Sequence, residues 1–251
     1  MSTITAHASP EAAAVPPQPS SLPARLVKLF VAPGELFEEF RESAPWGGAL
    51  AVTLAISVLA QLAIYFLVST ATFSDLIRAQ LLHQTGQVPP DDLVAKVVPQ
   101  ARVIGLVASV FGPIVVSLLG GAVVLVVSRL IMGGKGAFGQ YLAVVTHVLV
   151  LLTLGGVLVA PLIFMKRDPG INLSLTLLFP SMPAKGLVYG LMHSLDVFTV
   201  WGLALVGLGA AKVDGRRSWV PTAAAVAVVY LFVVVGIPFL LSLVMPHPAA
   251  A

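Results

Sequence analysis

The sequence has no cysteine, which excludes a disulfide framework, a thiolate metal site and a thiol nucleophile together. Charge is nearly as scarce. Only 10% of the 251 residues are Asp, Glu, Lys or Arg, against about 25% in an ordinary soluble domain, while 58% are hydrophobic. Most of such a chain faces something other than water. The 14 Lys and Arg outnumber the 11 acids but form no basic run, which argues against a nucleic-acid partner. The marks of catalysis are missing too. There is no phosphate-cradling glycine loop followed by Lys and Ser or Thr, no HExxH, no GxSxG and no carboxylate pair within an apolar run. Asp91 and Asp92 follow Pro89-Pro90 and read as the charged start of a helix. No catalytic residue, metal-ligating set or cofactor is expected, and the chain reads as a non-enzyme.

What is present is a succession of long apolar runs. A helix needs about 20 apolar residues to cross roughly 30 Å of hydrocarbon. Five segments qualify, about 47–69, 103–131, 138–164, 187–211 and 218–244. The expected fold is all-α: a polytopic membrane bundle of five transmembrane helices with short interfacial amphipathic helices, built from residues 25–245. Residues 1–24, rich in Ala, Pro, Ser and Thr, are expected to form a disordered tail and lack the apolar run of a signal peptide. Residues 246–251 form a C-terminal tail.

The stretch "LVKLFVAPGELFEEFRESAPW" puts Leu36, Phe37 and Phe40 on one helical face and Glu35, Glu38, Glu39 and Glu42 on the rest, between Pro33 and Pro45. Four glutamates resist an anionic membrane surface, so docking on the protein itself is expected over lying in the leaflet. Two connections, 70–102 and 165–186, are long and half-apolar and are expected to rest on or dip into the interface. Those after spans two and four, "MGGKGAF" and "KVDGRRS", are tight.

Orientation follows from Lys and Arg close to span ends. Arg25, Lys28, Arg41, Arg129, Lys135, Lys212, Arg216 and Arg217 fall on one side. Arg78, Lys96, Arg102, Lys166, Arg167 and Lys185 are spread over the two long loops of the other. The N-terminus is therefore expected in the cytoplasm and the C-terminus outside a cell membrane.

The run "SLDVFTVWGLALVGLGAAK", residues 194–212, holds a puzzle: between its ends Asp196 is the one charge. An ionised Asp in hydrocarbon costs roughly 3 kcal/mol on insertion scales unless it finds a partner or water. Counting back about 20 residues from Lys212 leaves Asp196 shallow, whereas counting from Lys185 places it near mid-membrane. His193, three residues earlier, lies on the same face of a continuous helix, where imidazole and carboxylate can pair or share a proton. Two readings stand, a proton or cation relay and a satisfied polar clamp near the interface. The lack of a second acid in any span favours the clamp. His147, in "AVVTHVLVLL", enters from the opposite side and reads as a hydrogen-bonded packing residue. His193, Asp196 and His147 are the candidate buried polar site. Small residues recur four apart, as at Ser117 and Gly121, Gly156 and Ala160, and Gly186 and Gly190. Gly120, Gly121, Gly155, Gly156, Gly207 and the mid-span Trp201 are the candidate helix-packing positions, with packing inside one bundle preferred over dimerisation.

Taken in order, "LFVAPGELFEEFRESAPW" with Pro33, Phe37 and Pro45, "GGKGAFGQYLAVVTH" entering span three, and "LDVFTVWGLALVGLGAAK" with Asp196, Phe198, Trp201, Gly207 and Gly209 resemble the Yip-domain family. This is the Ypt/Rab-interacting type of membrane protein, here in its bacterial branch. The likeness runs from about Leu26 to Val244. It implies a five-helix membrane domain with a cytoplasmic N-terminus and, for eukaryotic relatives, binding to small GTPases and membrane proteins in vesicle traffic. A short Ala/Pro tail stands where those relatives carry a substantial cytoplasmic region, which tells against GTPase binding. The expected function is a non-enzymatic scaffold or adaptor organising membrane partners, itself or lipids in what is read as a bacterial inner membrane. The alternative is a small proton- or ion-coupled transporter or channel using His193 and Asp196.

Overall fold

The computed structural model describes residues 20–171, 173–179, 181–183, 186–216 and 218–244. Most of the N-terminal tail, the C-terminal tail, and Lys185 and Arg217 from the charge count lie outside the described residues. Apart from one isolated bridge, every regular element among the described residues is helical.

The first two helices are short and proline-started. α1 (Leu22–Val31) and α2 (Pro33–Glu39) are hinged at Ala32, because Pro33 cannot continue the first helix and supplies a ready-made first turn for the second. α1 thus takes in the last residues expected in the tail. α3 (Trp46–Leu67) follows Pro45. α4 (Thr70–Thr85) is started by Ser69, whose Oγ accepts the Thr72 N–H at 3.1 Å, and stopped by Gly86 at φ 71°.

α5 (Asp91–Val126) carries both aspartates in its first turn and runs on through a π-turn, Val127–Ile131. It begins well before residue 103, and its 36 residues make about 54 Å. Its first third therefore pairs with α4 beyond the hydrocarbon thickness, around Leu76, Val94 and Val98. The connection 70–102 is a helical hairpin.

α6 (Phe138–Lys166) is the centre of the bundle, touching α3, α5 and α8. Tyr141 through Val148 are all buried, so this stretch needs apolar side chains on every face. The expected fourth span is two helices, α7 (Gly186–Ser194) and α8 (Val197–Val213). The break falls at Leu195-Asp196, where the Asp196 side chain captures backbone N–H groups and starts a new helix. α9 (Val220–Leu231), a π-turn Phe232–Gly236 and α10 (Ile237–Val244) form the last rod.

Among the described residues, four helices are long and apolar enough to cross a membrane: Trp46–Leu67, Asp91–Ile131, Phe138–Lys166 and Val220–Ser242. α8 is a shorter apolar helix of 17 residues, at the lower limit for a crossing. Leu67, Phe66 and Leu158 on these rods are 82%, 74% and 68% exposed, as lipid-facing side chains are. The result is an all-α helical membrane bundle. We call the end carrying α1, α2 and the two tight turns the near end. The far end carries α4, the 167–183 connection and α7.

Candidate functional site at the head of helix α8

Asp196 is not inside a helix but caps one. Its Oδ1 accepts the N–H groups of Phe198 at 2.9 Å and Thr199 at 3.1 Å, and its Oδ2 accepts the Thr199 hydroxyl. These are backbone donors that a helix start otherwise leaves unpaired. The peptide on either side is pinned as well. Leu175 N–H donates to Leu195 O at 3.3 Å and Val197 N–H to Leu173 O at 3.2 Å. A carboxylate in an oily run is thus held by hydrogen bonds with its own helix.

The expected one-helix relation of His193 and Asp196 is replaced by a junction. His193 lies in the last turn of α7 and its ring stacks on Tyr189 at 5.4 Å, while Asp196 is the N-cap of α8. Tyr230 of the last rod donates to Ser194 O at 3.3 Å and ties the two together. Among the described residues three grooves meet at Asp196. One of about 490 Å³ lies between α7 and the last rod and has His193, Tyr230 and Ser242 in its wall. A second of about 540 Å³ runs beside Leu177, Leu178 and Trp201. A third of about 320 Å³ lies against Gly155 and Ile163 of α6.

His147 belongs elsewhere. It is fully buried in the near half of α6, its Nδ1 2.7 Å from Ala143 O and its ring 4.8 Å from that of Phe40. The structure does not bring it to Asp196, because α6 and α8 run antiparallel and place the two at different depths.

The small residues divide. A Cβ at Gly155 would stand 2.5 Å from the Phe198 ring, one at Gly120 3.0 Å from Val145, one at Gly121 3.2 Å from Phe138, and one at Gly207 would collide with Ala223. Gly156 is different. It faces open space, with nothing within 4 Å, so it marks no helix contact in this bundle. Gly209 was not singled out by spacing, yet a Cβ there would press on Val144 and Phe37. Trp201 is 38% exposed and meets Phe30 of α1 edge-on at 5.8 Å.

The polar centre that sequence reasoning missed lies at the near end. The Asp214 side chain is 1% exposed. Its Oδ1 accepts from Tyr141 Oη at 2.7 Å and from the N–H groups of Lys135 and Gly136 at 3.1 Å each. Arg216 lies 3.5 Å from Oδ2 and donates to Met132 O at 2.5 Å. One carboxylate therefore joins the turn after α5, the start of α6 and the turn after α8. The only local signal was a DG turn in "KVDGRRS"; its partners are some 75 residues away.

α1 and α2 cover this end, with Leu29, Leu36, Phe37 and Phe40 fully buried. Two ion pairs latch them: Lys28 to Glu39 at 2.6 Å, joined by the Ser20 hydroxyl at 2.7 Å, and Lys212 to Glu38 at 2.5 Å. Hydrogen bonding to Lys212 holds the Glu38 carboxyl below its ordinary 4.5. Burial by itself would raise Glu39, but hydrogen bonds from Lys28 and Ser20 bring it below 4.5 as well. The hydrogen bond to Glu39 raises Lys28 above 10.5. A carboxylate depressed in the folded state contributes stability above its unfolded pKa and loses it as pH falls through the folded value. A raised lysine contributes below its unfolded pKa and loses it as pH rises through the folded value. The latch therefore holds between these limits and opens in acid. Measured against the intrinsic amide rate at each pH, protection from exchange at residues 22–40 is expected to fall between pH 7 and pH of about 3.5 by more than protection in α6 does. An equal loss of protection in both would refute the latch.

Among the described residues no group of three or more His, Cys, Asp and Glu is placed to hold a metal ion. The apolar rods, the tight helix contacts and the polar ties at both ends define a polytopic α-helical membrane protein. A family model for the Yip1 domain matches residues 27–242, and the chain belongs to the Yip1 domain family. No curated protein and no solved structure matches the chain.

Proposed function

We propose that this Yip1-family membrane protein is a non-enzymatic scaffold or adaptor that organises membrane proteins, copies of itself or lipids. The observation that carries the reading is the use of Asp196, the one acid in the oily spans, as a helix cap bonded to its own backbone. The Asp214 knot and the aromatic docking of α1 and α2 support it, since both spend polar and aromatic groups on holding the near end together. We place the protein in a cell membrane, by its resemblance to the family's bacterial branch a bacterial inner one, with the near end in the cytoplasm and the C-terminus outside. The described basic residues of the near end, Arg25, Lys28, Arg41, Arg129, Lys135, Lys212 and Arg216, support that sidedness.

A second reading, a small proton- or ion-coupled transporter or channel, draws on the three grooves that meet at Asp196. One experiment separates the two. Crosslinking in native membranes followed by mass spectrometry is expected to recover the chain joined to defined membrane proteins or to itself. Recovery of a solitary monomer at every crosslinker length overturns the scaffold reading in favour of the transporter.

A further inference from the structure

We propose that the groove between α7 and the last rod is a phospholipid site that selects a primary-ammonium headgroup. α8 is 17 residues long, so Asp196 stands about 26 Å from the near end and the groove opens in the far leaflet. Leu187 and Val234 on its wall are 39% and 43% exposed. Apolar walls at that depth are covered by acyl chain, because water there gains no hydrogen bonds. The two other grooves that reach Asp196, about 540 and 320 Å³, let an amphiphile with two chains place its head at the carboxylate and its tails on either side.

The wall decides the head. Among the described residues Asp196 is its one formally charged acid and no Lys or Arg lines it, so a cation is favoured over an anion. An ammonium brings three N–H donors, which suit the Asp196 carboxylate and the Tyr230 hydroxyl, the latter held at the junction by its bond to Ser194 O. A trimethylammonium brings none and needs an aromatic cage instead. The π-turn Phe232–Gly236 packs against α7 beside the groove, a local irregularity of the kind that marks binding sites in helices.

The test uses the full chain in mild detergent, offered an equal mixture of phosphatidylethanolamine, phosphatidylcholine and phosphatidylglycerol with the same acyl chains. Retained lipid is then measured by mass spectrometry. Phosphatidylethanolamine is expected to be enriched about tenfold over each competitor, the effect of one desolvated charge contact. Asp196→Asn keeps an acceptor for the cap, so its thermal unfolding should change little while the enrichment disappears. Ser242→Leu narrows the groove without touching the cap and should lose the enrichment too, which keeps the proposal testable if Asp196→Asn fails to fold. Equal retention of the three lipids overturns the proposal, as does full preference in a folded Asp196→Asn or in Ser242→Leu. Displacement by free ethanolamine without any lipid preference also overturns it. The readout is lipid and not protein, so its failure leaves the scaffold reading untouched.

Discussion

Asp214→Ala is expected to lower the stability of the bundle by about 3 kcal/mol or more, because it strands several buried partners of one carboxylate at once. The Tyr141 hydroxyl and the N–H groups of Lys135 and Gly136 lose their acceptor, and the Arg216 guanidinium loses its ion-pair partner, in a place where the side chain is 1% exposed. For a chain of this size that corresponds to a fall in Tm of roughly 6 to 12 °C, read by thermal unfolding in detergent. Tyr141→Phe removes a single hydrogen bond and should cost about 1 kcal/mol. Asp214→Asn keeps an acceptor oxygen for the three Oδ1 donors and should fall between the two. If Asp214→Ala unfolds within a degree of the wild type, the knot does not hold the two near-end turns together.

Gly207→Ala is expected to cost about 2 to 4 kcal/mol, although alanine is the better helix former. A Cβ at that position meets the Cβ, Cα and N of Ala223, so α8 and α9 must separate rather than a side chain rotate. Ala223→Gly in the same chain should restore only part of the loss, since two of the three opposing atoms are backbone. Gly156→Ala is the contrast. It faces open space in the outer half of α6 and is expected to be neutral or stabilising by about 0.5 to 1 kcal/mol, the helix-propensity gain alone. The pair is measured by thermal or denaturant unfolding of the purified variants. Equal effects at the two glycines would show that α8 and α9 do not meet as closely as described.

The two glycines explain how far the small-residue pattern could be read. Spacing of four puts two positions on one helix face. It does not say whether that face meets another helix or lipid. Gly155 and Gly156 are adjacent in sequence, and the rotation of about 100° between them sends one against Phe198 and the other into open space. Gly209 carried no small partner four residues away on its contact face, and only the approach of Val144 and Phe37 reveals its role.

The sequence by itself determined the class of protein, because crossing hydrocarbon needs length and apolarity and both are countable along a chain. It also determined that the Leu36, Phe37 and Phe40 face would be buried and that no cysteine chemistry exists, since side-chain periodicity and composition are local properties. Tertiary structure alone decided what the ionisable groups do. Asp196 broke a helix that hydropathy made continuous, because a hydropathy window averages over 20 residues while a cap is settled by two hydrogen bonds. Asp214 looked like a surface turn residue until the fold carried Lys135, Gly136 and Tyr141 to it from far along the chain, and contacts between such distant residues are made by packing, which no local pattern encodes.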